Sequence, residues 1–184
     1  MDETENENNS LLKTLRMLLI GTPFVFTLFY IPGPMFSGSF PKTMFLYTAV
    51  SIIVAIWLIR IYKSGAVVFK KNWIDKAVLG YILIIFISAL AGGHFEYSFF
   101  GSFSRMTGIA TMLYISGWYL IASSILRSRD WINVFRTLLF SGFILAIISF
   151  LGINGFNLKV FSFLNQGGSL FANNTFSGIY YLFA

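Results

Sequence analysis

Few side chains in this sequence can do chemistry, and most of them fall in two stretches. In the first, Phe99-Phe100-Gly101-Ser102-Phe103-Ser104-Arg105-Met106-Thr107-Gly108, one guanidinium is bracketed by glycines. Glycine lets backbone approach a ligand closely, and an arginine at a helix entrance can grip a diphosphate through two parallel hydrogen bonds, helped by the helix dipole. The competing reading is an interfacial arginine that only anchors a helix. The second stretch, Gln166-Gly167-Gly168-Ser169-Leu170-Phe171-Ala172-Asn173-Asn174-Thr175-Phe176-Ser177-Gly178, offers amides and hydroxyls of the kind that bind sugars. The only histidine, His94, precedes Glu96 by two residues, so general acid–base work is conceivable. We read it instead as a solvated interfacial histidine. Glu96 is left to orient a sugar hydroxyl, to pair with Arg105, or to do nothing. The chain has no cysteine, which excludes disulfides, thiolate metal sites and cysteine nucleophiles, and no metal or cofactor is expected.

These groups have to be positioned by very apolar elements. Of the 184 residues, 57% are hydrophobic and 11% charged, and 22 are phenylalanine. A soluble core of this size cannot hide such a load, whereas a bilayer removes the need to. Apolar runs over residues 17–31, 43–59, 77–91, 109–126 and 134–151 each approach the ~20 residues that cross a membrane as helix. Pro32, Gly33, Pro34, Gly38 and Pro41 punctuate the first connection. The first ten residues carry four acids and nothing apolar after Met1, and read as a disordered tail. A cleaved signal peptide fits less well, because the first basic residues, Lys13 and Arg16, follow this acidic tail instead of opening the chain.

The net charge of +6 could point to nucleic acid, but placement decides otherwise. Lys13 and Arg16 precede the first run; Arg60, Lys63, Lys70, Lys71 and Lys76 lie in the second connection; Arg127, Arg129 and Arg136 lie in the fourth. Ten of the thirteen cations therefore share one side, leaving Lys42, Arg105 and Lys159 opposite, so the positive-inside rule puts the amino terminus in the cytoplasm. No nucleic-acid partner is expected.

The expected fold is all-α, a polytopic transmembrane helical bundle of about five complete spans plus a truncated sixth. Its organisation is a disordered cytoplasmic tail over residues 1–10 and a transmembrane helical domain over 11–184. The last run, residues 176–184, is about half a span long. A helix end in hydrocarbon leaves carbonyls unpaired, so the domain is expected to be incomplete at its carboxyl end.

At the two polar stretches the chain resembles the O-antigen ligase and polymerase family of bacterial envelope enzymes. Members carry a Gly-x-x-x-Arg-x-x-Gly-like element before the fourth span, matched by Gly101, Arg105 and Gly108. They also carry a Gly-Ser/Thr-x-Phe-x-Asn-Pro-Asn-like element at the next outer loop, matched from Gly168 onward, although Asn173-Asn174-Thr175 stands where Asn-Pro-Asn is usual. An arginine often found before it gives way to Asn165-Gln166.

The resemblance implies an enzyme of the bacterial inner membrane that transfers or polymerises oligosaccharide from an undecaprenyl-diphosphate carrier on the outer face, without a metal. The acceptor would be lipid A, another glycan or a protein, and membrane lipids are further partners. Substrate binding is expected at Arg105, Gly101, Gly108, Asn173 and Asn174, with the catalytic residues beyond Ala184, so that residues 1–184 alone are expected to be inactive. The alternatives are a membrane transporter and a structural membrane subunit. The cores of spans two to five lack ionisable residues, which argues against ion-coupled transport.

Overall fold

The computed structural model describes residues 3–29, 39–65, 72–101 and 108–153, all of them helical apart from short connections. The helices are α1 Glu3–Leu28, α2 Ser39–Ser64, α3 Trp73–Ala91, α4 Phe95–Phe100, α5 Ile109–Ile125 and α6 Ser128–Ile153. Four helices are long and apolar enough to cross a membrane, over Glu7–Leu28, Phe40–Ser64, Trp73–Ala91 and Ser128–Ile148. Helix α5 is apolar but has only 17 residues, about 26 Å at 1.5 Å per residue. The expected count of five full spans therefore becomes four and a shorter fifth. Residues 176–184, the expected half-span, lie outside the described residues.

Side-chain contacts give the directions. Helices α1 and α2 run antiparallel, with Glu7 against Lys63 at 2.6 Å at one end and Lys42 Nζ donating to the Thr27 carbonyl at 3.4 Å at the other. Helices α1 and α6 run parallel, joined by Arg16 and Asp130 at 3.8 Å and by the rings of Phe24 and Phe140 at 6.2 Å. Helix α5 runs parallel to α2, with Tyr47 against Thr111 at 2.8 Å and Ser51 against Tyr114 at 3.3 Å, and antiparallel to α3, with Tyr81 against Met112 at 3.9 Å and Asp75 against Tyr119. The alternation gathers Lys13, Arg16, Arg60, Lys63, Lys76, Arg127, Arg129 and Arg136 toward one end, the basic end.

The buried core lies toward that end. Leu15 and Leu19 of α1, Ile53 of α2, Ile121, Ala122 and Ile125 of α5 with its C-cap Leu126, and Val134 of α6 form one cluster, with Trp57, Trp118 and Trp131 packed on it. Helix α3 stands outside the cluster; its only buried residues are Asp75 and Ala89, and Leu83, Ile84 and Leu90 are all more than half exposed. Surfaces of that kind call for lipid or for further helices.

Local chemistry moves several boundaries. Helix α1 begins at Glu3, so most of the expected disordered tail is its first turns, braced by the Glu7–Lys63 ion pair. Pro41 sits inside α2 and not in the preceding loop, because a residue in the first helical turn has no intrahelical N–H partner to lose. Helix α3 starts four residues before its apolar run, with Asn72 at its N-cap. The turn into α6 is closed by Asp130, whose Oδ2 accepts the Arg127 amide at 2.9 Å while also facing Arg16.

Leu19 has no exposed surface, whereas Leu139 is 53% exposed on α6. Leu19→Ala leaves a cavity and should lower the unfolding free energy by about 2 to 5 kcal/mol. Thermal unfolding in detergent should then show a clear drop in midpoint for Leu19→Ala and almost none for Leu139→Ala.

Candidate functional site

The end opposite the basic one is built differently. Among its described residues the acidic and basic side chains are Lys42, His94 and Glu96, and Lys42 is buried against the Thr27 carbonyl that ends α1. Glycines and aromatic rings are concentrated around them. Helix α3 ends at Gly92, Gly93 turns the chain with φ 71°, and the six-residue α4, Phe-Glu-Tyr-Ser-Phe-Phe, follows at once. Ring contacts run from Phe86 of α3 to Phe95 at 5.9 Å, on to Phe99 at 5.6 Å and then to Phe100 at 5.0 Å, and this chain of rings braces α4. In sequence this segment reads as loop, because one and a half turns are too few to show a period.

Gly101 and Gly108, the two glycines singled out around Arg105, meet. Gly101 closes α4 with φ 74° and ψ −171°, a conformation open essentially to glycine alone, and donates its amide to the Tyr97 carbonyl at 2.9 Å. Gly108 is the N-cap of α5, and a Cβ there would come within 2.5 Å of the Gly101 nitrogen and the Phe100 carbonyl carbon and closer still to the Phe99 oxygen. The two backbones form a neck that no side chain can enter. Arg105 lies in the stretch between them, three residues before Gly108 in sequence, and is outside the described residues, as are Asn173 and Asn174. His94 and Glu96 are exposed, and neither forms a side-chain hydrogen bond or ion pair among the described residues. No cluster of three potential metal ligands occurs among the described residues.

Two polar features escaped the sequence reading. Asp75, in the first turn of α3, is 9% exposed, interacts with the Tyr119 hydroxyl of α5, and keeps Oδ1 without a partner. Asn72-Trp73-Ile74-Asp75 has the spacing of a helix start, which would have moved the boundary of α3 to include it. Between α2 and α5, Tyr47 and Ser51 meet Thr111 and Tyr114 through hydrogen bonds of 2.8 and 3.3 Å, with the two tyrosine rings stacked at 4.4 Å. Their signal is a helical spacing of hydroxyls inside apolar runs. Below them an apolar groove of about 430 Å³ opens between Val54, Leu58 and Gly117.

No family model, curated protein or solved structure matches the chain. The neck can be tested without any functional assumption. Gly108→Ala should cost about 1 to 3 kcal/mol by overpacking against backbone that cannot rotate away. Gly117→Ala, in a helix with nothing within 4 Å, should be neutral or gain up to about 1 kcal/mol from helix propensity. Equal unfolding midpoints for the two variants would contradict the neck.

Proposed function

We propose that the chain belongs to a lipid-linked glycan transferase of the bacterial inner membrane, with its amino terminus and basic end in the cytoplasm and the glycine neck outside. In this reading the protein transfers or polymerises oligosaccharide from an undecaprenyl-diphosphate carrier, with Arg105 contacting the diphosphate. The five helices other than α4 all cross the bilayer, the short α5 included. The contact between Gly101 and Gly108 is the observation that supports it, since it ties both ends of the arginine-bearing stretch to the first turn of a membrane helix. A guanidinium carried on such a stretch would suit the phosphates of a carrier lipid, and the amides at the helix start add positive potential.

The second reading, a transporter, draws on Asp75. A buried carboxylate with one unpartnered oxygen in an apolar helix is the usual mark of an ion or proton pathway. Asp75 sits in the first turn of α3 at the basic end and faces a tyrosine, a position that equally suits a helix-start acid.

Orientation is tested with single cysteines in this cysteine-free chain. With Asn72→Cys and His94→Cys, both at exposed positions, only His94→Cys should react with a membrane-impermeant thiol reagent on intact cells. The reverse pattern overturns the proposed topology. Function is tested at Arg105 in the whole protein in its own cells, by following glycan transfer at matched protein levels. Arg105→Ala should reduce transfer about ten- to a hundred-fold, the worth of one hydrogen bond to a charged ligand. Arg105→Lys keeps the charge but not the two-pronged contact, so it should fall as well, whereas a mere helix anchor would tolerate lysine. Unchanged transfer in both variants removes the diphosphate reading.

A further inference from the structure

We propose that the exposed face of α4 is a sugar-binding platform formed by Glu96, Tyr97 and Phe100, a reading that rests on the outer-face glycan function above and names where the glycan part of the donor lies. Successive helical residues are about 100° apart, so positions i, i+1 and i+4 fall within about 100° of arc. Glu96, Tyr97 and Phe100 occupy those positions. Phe95, Ser98 and Phe99 take the rest of the circumference, and Ser98 and Phe99, only partly exposed, turn toward the bundle. The presented face is open: Tyr97 is 70% and Phe100 57% exposed, Glu96 is exposed, and none of the three has a side-chain hydrogen bond or ion pair among the described residues.

Two large rings and a carboxylate share this face, and the three together select the occupant. A lipid interior is disfavoured, because seating the face in hydrocarbon would desolvate the Glu96 carboxylate that lies on it beside Phe100. Anionic headgroups and phosphates are disfavoured by like charge. A sugar satisfies both kinds of group. Its C–H face packs on an aromatic ring, its hydroxyls donate to a carboxylate, and it carries no charge to repel. The platform is also rigid, since the rings of Phe86, Phe95, Phe99 and Phe100 are in series and Gly101 locks the end of α4. A binding face held in one conformation loses little entropy when a ligand lands on it.

The test uses the whole protein in lipid nanodiscs and, as probe, neutral oligosaccharides released from the surface polysaccharide of the source cells. Saturation-transfer NMR should show magnetisation passing to sugar C–H protons. The signal should fall at least about five-fold in Tyr97→Ala/Phe100→Ala, and Glu96→Gln should weaken binding about three- to ten-fold, the loss of one charge-assisted hydrogen bond. Arg105→Ala should leave this signal unchanged while reducing transfer, so failure of the platform and failure of the diphosphate reading are told apart. Phe100→Trp provides a second measurement: its fluorescence should respond to the oligosaccharide and not to brominated lipid tails. Quenching by those tails, or a wild-type signal equal to that of the double variant, overturns the proposal.

Discussion

Backbone and hydroxyl groups in an apolar helix bundle have no water to turn to, and most of the local detail here follows from that constraint. Thr22 donates to the Leu18 carbonyl at 2.7 Å, Thr48 to Met44 at 2.9 Å, Ser124 to Leu120 at 2.7 Å and Thr137 to Val134 at 2.8 Å, so these hydroxyls are settled within their own helices. Pro23 removes the amide that the Leu19 carbonyl would have accepted, and four residues on Thr27 bonds back to the Pro23 carbonyl at 2.8 Å. Lys42 then takes the Thr27 carbonyl at the end of α1. A buried lysine in that place serves as a helix C-cap, favoured by the negative end of the dipole. Where hydroxyls cross between helices instead, as at Tyr47 with Thr111, they set which faces of α2 and α5 meet.

The two ends divide their duties. At the basic end, Asp130 closes the α5–α6 turn and faces Arg16, while the tryptophans and Leu15, Leu19 and Leu126 fill the space beside it. Charge pairs of this exposure contribute little each, and the packing beside them holds the end together. At the other end, ring pairs take over, with Phe29 stacked on Phe45 at 4.7 Å and Tyr47 on Tyr114 at 4.4 Å, and then the backbone contact of the neck.

How much of this the sequence discloses varies with the kind of signal. Helices α2, α3, α5 and α6 are legible because each carries a long apolar run with a charge at or near one end, and the sharing of one end by the cations follows from simple alternation. The first turns of α1 are not, since an acidic, asparagine-rich stretch looks disordered until Lys63 is seen beside Glu7. Asp75 is hidden by its neighbour Lys76, which reads as a span boundary one residue too late. The importance of Gly101 and Gly108 is visible in their spacing, but their contact is not, because it is made by backbone and leaves no trace in side-chain type. Helix α4 is too short for any periodicity. The role of Arg105 and of Asn173 and Asn174 depends on residues outside those described.

The shortness of α5, which reduces the span count, bears directly on where the neck sits. Its 17 residues reach about 26 Å, whereas the hydrocarbon layer is about 30 Å thick. With its far end level with the basic end, its first residue falls about 4 Å short of the opposite surface, a mismatch that local thinning accommodates at a fraction of a kcal/mol per ångström. Gly108 and Gly101 are then drawn down to the boundary between headgroup and acyl chain. Polar backbone at that depth needs internal partners, and it has them: the Gly101 amide is bonded to Tyr97, and the Gly108 carbonyl accepts from Thr111 at 3.1 Å and Met112 at 3.4 Å. An α5 of full spanning length would raise the neck by about 4 Å. In the orientation proposed above, the shorter helix would keep the neck near the boundary between headgroup and acyl chain, with α4 braced beside it on Phe86.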